Sequence, residues 1–205
     1  RSSDLVIWFF ATLMVIIWGI FTGISVLVSH QFGAGNTRAI SIILRDSIFL
    51  SLILTIPLFF LIWNLGAVFI LLGQSPSMVS KAVPYMHALA FSVLPDLVGL
   101  SFMQFLVGLG KTKTNLFFSL TWVPLSIFLN YIFVFGSFGL PSLGIAGLGW
   151  GTCLSFWITS FGLGLYLFLH PAYQKYIRVL KIISRIKYLW DLIKVGLPMG
   201  LMYSL

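Results

Sequence analysis

Asp96 lies in the stretch FSVLPDLVGLSF, residues 91–102, among valines, leucines and phenylalanines. It is one of only four acidic residues in a chain of 205. An ionised carboxylate in such surroundings is costly unless something compensates it. Three kinds of chemistry are open to it: a carboxylate that couples ion movement to transport, a contact for a substrate cation, or a protonated or hydrogen-bonded structural acid. Ser92 and Gly99 fall on neighbouring turns of the same helical face. Other reactive groups are sparse. His30, His87 and His170 are scattered and make no ligand motif, and Cys153 is the single cysteine, so an internal disulfide is excluded. No His/Asp or Ser/His pairing of a membrane-embedded enzyme accompanies the isolated His87, and the chain is read as a non-enzyme without a metal or resident cofactor.

The elements that must hold Asp96 follow from composition. Hydrophobic residues make up 60% of the chain and charged residues 8%, with a mean hydropathy of +1.08. Soluble domains carry about 25% charged residues, so a water-facing surface cannot be built from this sequence. Residues 114–174 contain no Lys, Arg, Asp or Glu. The fold class is therefore all-α, a polytopic membrane helix bundle. The net charge of +8 sits mostly in short segments between apolar runs, where it sets orientation, so nucleic acid is excluded as a partner and membrane lipid is expected as one.

Five complete spans are expected, over residues 5–28, 47–63, 82–109, 115–135 and 146–169, with Ser3 or Asp4 available as the first N-cap. The second helix can begin as early as Arg38, and a sixth span starts near Val195. Basic connections (after residue 30, GKTKT, and residues 170–194) alternate with nearly uncharged ones, which places the basic side in the cytoplasm and Arg1 outside. Residues 1–172 read as a partial N-terminal lobe, 173–194 as a basic amphipathic cytoplasmic linker and 195–205 as the start of a second lobe. In the linker Val179, Ile182, Ile183, Ile186, Leu189, Trp190 and Ile193 form an apolar stripe, with Arg178, Lys181 and Arg185 opposite, suited to a headgroup layer. Pro57, Pro84, Pro95, Pro124, Gly99 and Gly108 interrupt the spans, as in many transporters. No signal-peptide cleavage pattern precedes the first span, and the missing initiator methionine suggests a truncated chain.

Three stretches in order resemble the multidrug and toxic compound extrusion (MATE) family: SHQFGAGNTRA, GLGKTKT and, most specifically, NYIFVFGSFGLPSLGIAGLGWGT over residues 130–152. GQSP and GLPMG fit the same register. The resemblance implies secondary active export, with a small-molecule drug or organic cation moving out against H+ or Na+ as coupling ion. It also implies a bacterial inner-membrane location. Family members have about twelve helices in two lobes around a central cavity. The spans here correspond to the second to sixth helices and the start of the seventh, so the chain is expected to be a fragment, inactive alone.

Asn130 corresponds to a fifth-helix position that is aspartate in some members. An amide can donate to a carboxylate or offer oxygen to a cation but carries no proton at neutral pH. Thr152 corresponds to a hydroxyl of the same polar cluster. Their plainer readings are interhelical hydrogen bonding and a back-bond to the preceding turn. Asp96 is no signature position of the family. Met103 stands where arginine is expected in many relatives, which leaves Asp96 without a local ion pair. Tyr131 is expected to pack or face lipid. Trp8, Trp18, Trp122, Trp150, Trp157 and the twenty phenylalanines could contact flat cations, but such residues commonly face lipid, and no pocket is selected from them. A lipid-linked oligosaccharide flippase of the wider superfamily is the nearest rival. It needs clustered intramembrane basic residues, and none is expected deep in a span. An inactive product of a broken reading frame is the remaining alternative.

Overall fold

A computed structural model describes residues 2–71, 73–136, 139, 141–177 and 188–204. Described residues form helices α1 (Ser2–Gly33), α2 (Thr37–Trp63), α3 (Leu65–Leu71), α4 (Pro76–Ala90), α5 (Val93–Gly108), α6 (Thr112–Phe135), α7 (Ile145–Leu169), α8 (Pro171–Ile177) and α9 (Leu189–Ser204). Four are long and apolar enough to span a membrane, and α4 with α5 makes a fifth if the bent pair counts as one. Local chemistry sets the joints. Gly35 takes φ +69, and the Asn36 side chain then accepts the Ala39 N–H at 3.1 Å to start α2. Gly136 ends α6 in the left-handed region, its N–H donating to the Ile132 carbonyl at 2.9 Å.

Several boundaries differ from the sequence expectation, and the last helix begins at Leu189 rather than near Val195. Ser3 and Asp4 lie inside α1, which is already helical at Ser2, so neither is its N-cap. The span expected over 82–109 is not one rod: α4 and α5 meet at 45°. The break falls at Phe91 and Ser92, so Pro95 occupies the first turn of α5, where a missing N–H removes no helical bond. Asp96 follows at the positive end of the new helix dipole. That is one physical reason an acid is tolerated there. Residues 178–187, most of the expected amphipathic stripe, lie outside the described residues.

Helix α5 lies at the centre, packed against α1, α2, α6 and α7. Phe21, Ile24, Ile43, Leu44, Phe105, Leu106, Leu163 and Leu167 are essentially inaccessible. Between α2 and α5 the Ser51 and Ser101 hydroxyls pair at 2.9 Å, and Ser51 also donates to the Leu97 carbonyl at 3.1 Å. In an apolar solvent such bonds hold helices together. The outermost helix is α6, which buries only Ile132 among its described residues and exposes Leu116, Phe117, Leu120 and Ile127. Those side chains suit lipid.

The extensive α1–α9 contact is made by backbone. Gly19 and Gly23 face Gly200 and Gly196; a Cβ on Gly19 would fall on the Gly200 Cα, and one on Gly23 would come 3.1 Å from the Gly196 nitrogen. Both pairs are G-x-x-x-G motifs, GIFTG and GLPMG.

Candidate functional site

The bend that starts α5 turns Asp96 towards a cavity of about 280 Å³ between α1, α5, α6 and α7. Its walls include Trp18, Met103, Ser119, Trp122, Phe156 and Thr159. A second cavity of about 430 Å³, between α1, α2, α3, α4 and α5, shares Trp18 and Asp96 with the first. The carboxyl thus lies on the partition between two apolar spaces. Among the described residues no hydrogen bond or ion pair reaches the Asp96 side chain. Its backbone N–H donates to the Ser92 carbonyl at 3.0 Å, and Met103 lines the same cavity where a basic residue would have neutralised it.

Two further groups in that wall lack partners. The Trp122 Nε1 and Thr159 Oγ1 atoms are buried with no hydrogen-bond partner; Asn115 Oδ1 is the third such atom among the described residues. Thr159 departs from its neighbours' habit. Thr55, Thr121 and Ser155 each donate to a carbonyl of their own helix, at 2.7, 2.8 and 2.7 Å. Thr159 does not.

Asn130 and Thr152 come together, but separately from Asp96. The Thr152 hydroxyl donates to Asn130 Oδ1 over a long 3.4 Å. Gly151 makes the contact possible, since a Cβ there would come 2.8 Å from the Asn130 Cα. Asn130 is eight residues beyond Trp122 on α6, roughly 12 Å along the axis. The α6–α7 seam therefore carries two polar places at different depths. Tyr131, next to Asn130, is exposed and packs on Phe135 with ring centroids 5.0 Å apart.

One charged constellation escaped the sequence reading. Asp46 is completely buried in α2. Its Oδ1 accepts from Arg45 Nη2 at 2.7 Å and Nε at 3.0 Å, while Oδ2 accepts the backbone N–H of Tyr188 at 2.8 Å. Asp46 thus caps the start of α9 from another helix. Arg45 lies just ahead of the span expected over 47–63, more than two turns into α2, and is held by Asp46. The only sequence signal was an Arg-Asp pair inside an apolar helix. The histidines do not meet one another; His87 stacks on Trp63 with centroids 3.9 Å apart.

Comparison with known proteins places this arrangement. The family profile described as MatE matches residues 4–132. A protein of Oceanobacillus iheyensis named "Probable multidrug resistance protein NorM" is 31% identical over 188 residues, covering 89% of this chain and 41% of the relative. One of the same name from Streptococcus pneumoniae serotype 4 is 29% identical, covering 89% and 40%. The chain thus spans about four tenths of the length of these curated relatives. Among solved structures, a multidrug resistance MATE family transporter of the MOP superfamily matches in its inward-facing conformation with TM-score 0.81 at 22% identity, covering 98% of this chain and 45% of that one. An outward-facing conformation gives 0.82 at 22% identity, covering 98% and 44%.

Proposed function

Since the chain belongs to the MatE family, we propose that it supplies one helical lobe of a secondary multidrug exporter, driven by inward movement of H+ or Na+. The membrane is a bacterial inner membrane, and the connections after α1, α5 and α7 face the cytoplasm. The substrate is a drug or organic cation. The observation that carries this reading is the Asp96 carboxyl, without a partner among the described residues, on the wall of two cavities inside an apolar bundle. A carboxyl so placed gains or loses charge as ions or substrates arrive, and a difference in affinity between two packings is what drives an exporter. Asn130 and Thr152 form a second polar place on the same seam, suited to hydrogen-bonding a carboxylate or cation from a facing element.

A lone lobe forms one wall of an alternating-access cavity. Cells expressing only the 205 residues are therefore expected to show no dye efflux above a vector control. Cells expressing the complete exporter are expected to show it. Efflux lacking in both, at verified membrane expression, would overturn the proposed function.

A further inference from the structure

We propose that a groove between α2, α5 and α7 holds one acyl chain of an anionic phospholipid, whose phosphate meets Arg38 and Lys175 at the basic end of α2 and α8. The groove has a volume of about 400 Å³. Exposed Leu52, Trp157, Phe161, Leu165 and Phe168 form its rim, so it opens on the outside of the bundle. Pro95 and Gly164 lie buried in its floor. A Cβ on Gly164 would come 3.1 Å from the Phe102 ring, so the floor is low where a side chain is missing. On α7 the lining runs from Trp157 to Phe168, roughly 16 Å of helix. That is about half of a ~30 Å hydrocarbon core, the depth of one leaflet and of one acyl chain.

The apolar groove accepts the chain, and the charge at one end selects the head group. Ser51 donates to the Leu97 carbonyl and Ser101 to the Ser47 carbonyl, at 3.1 and 3.4 Å, so α2 and α5 run antiparallel. The turn of α5 from Phe102 to Phe105 therefore lies beside the turn of α2 that carries Arg45. Tyr176 of α8 packs on Phe105 with ring centroids 6.0 Å apart, and Lys175 Nζ lies 4.9 Å from the Tyr176 ring centre. Helix α8 also contacts α2. Arg38, Arg45 and Leu52 recur at intervals of seven, which keeps them close to one face of α2. Asp46 offsets the Arg45 charge and is the only acid of α2, α7 and α8. Exposed Arg38 and Lys175 are the surplus. Long basic side chains at such an end lay their stems on apolar surface and reach the head-group layer, where they attract anionic lipid. A zwitterionic lipid brings its own cation to the same place and gains less.

Photolabelling tests the assignment. The complete exporter is placed in phosphatidylcholine nanodiscs with a trace of phosphatidylglycerol or phosphatidylcholine that carries a diazirine midway along one acyl chain. Labelled peptides are quantified by mass spectrometry. Residues 157–168 are expected to take about fivefold more label from the phosphatidylglycerol probe. Ile127 and Phe128, exposed on α6 and far from any charge, should take equal label from both. Lys175→Gln and Arg38→Gln should each lower the preference several-fold, and Leu52→Trp should lower labelling of the groove by both probes. Equal labelling of residues 157–168 by the two probes overturns the site without recourse to a variant. An equally large preference at Leu116 and Leu120, beside Lys113 on α6, also overturns it, since charge without a groove would then suffice. So does a groove that takes no lipid label and cross-links instead to a second copy or to another segment of the exporter. None of these measurements reads efflux, so the proposed function stands or falls separately.

Discussion

The Asp46 carboxylate accepts the backbone N–H of Tyr188 at 2.8 Å across 142 positions of sequence. The same carboxylate holds Arg45 at 2.7 Å. One fully buried side chain therefore anchors the first turn of α9 and neutralises a guanidinium in α2.

Replacing Asp46 by Ala removes both roles at once. The loss is expected to be about 2–3 kcal/mol, below the usual cost of breaking a fully buried pair because Arg45 retains some access to solvent. Asp46→Asn keeps an acceptor for Tyr188 and should lose roughly half as much. Amide hydrogen exchange in the first turn of α9 is the direct measurement. Unchanged exchange there in Asp46→Ala would show that the cap does not hold the helix.

The α1–α9 seam tolerates no side chain. Gly200→Ala and Gly19→Ala each place a methyl group against facing backbone, expected to cost roughly 1–3 kcal/mol through helix separation. Thermal unfolding in detergent should shift down accordingly. Gly33→Ala, which meets open space, is the control and should change little.

Asp96→Asn in the complete exporter is expected to lower efflux at matched expression while the protein stays inserted and folded. Asparagine keeps the shape and cannot change charge. Efflux of normal rate and normal pH or Na+ dependence would leave Asp96 a structural residue.

Orientation can be read with single cysteines. In a Cys153→Ser background, Ser142→Cys should react with an impermeant maleimide on intact cells, and Ser184→Cys only after permeabilisation. Labelling of both from one side would contradict the alternation of charge along the connections.

Four spans, and the bent α4–α5 pair counted as a fifth, were legible because their apolar runs come close to or exceed the ~18 residues needed to cross hydrocarbon. Their ends were less so. Helix α2 begins at Thr37, next to the Arg38 start that the sequence allowed, because the Asn36 cap and not hydropathy starts it. The seven-residue helices α3 and α8 carry no period long enough to read. The bend at Phe91 and Ser92 was signalled by Pro95, yet a proline four residues past a break is indistinguishable in sequence from one that kinks a continuous rod. For the site, Asp96 stood out by chemistry alone. Trp122 and Thr159 did not, because an unsatisfied group is defined by what surrounds it and not by its type. Asp46 was invisible for a similar reason, its partner lying 142 residues away. The paired G-x-x-x-G motifs were present in the letters, and only their mutual facing needed coordinates.

The glycine contact between α1 and α9 also bears on leakage. Where Gly19 meets Gly200 the two main chains lie so close that a single methyl group would collide. No file of water fits in such a gap, and without water neither a proton nor a hydrated ion can pass along it. That seam is a gasket made of backbone.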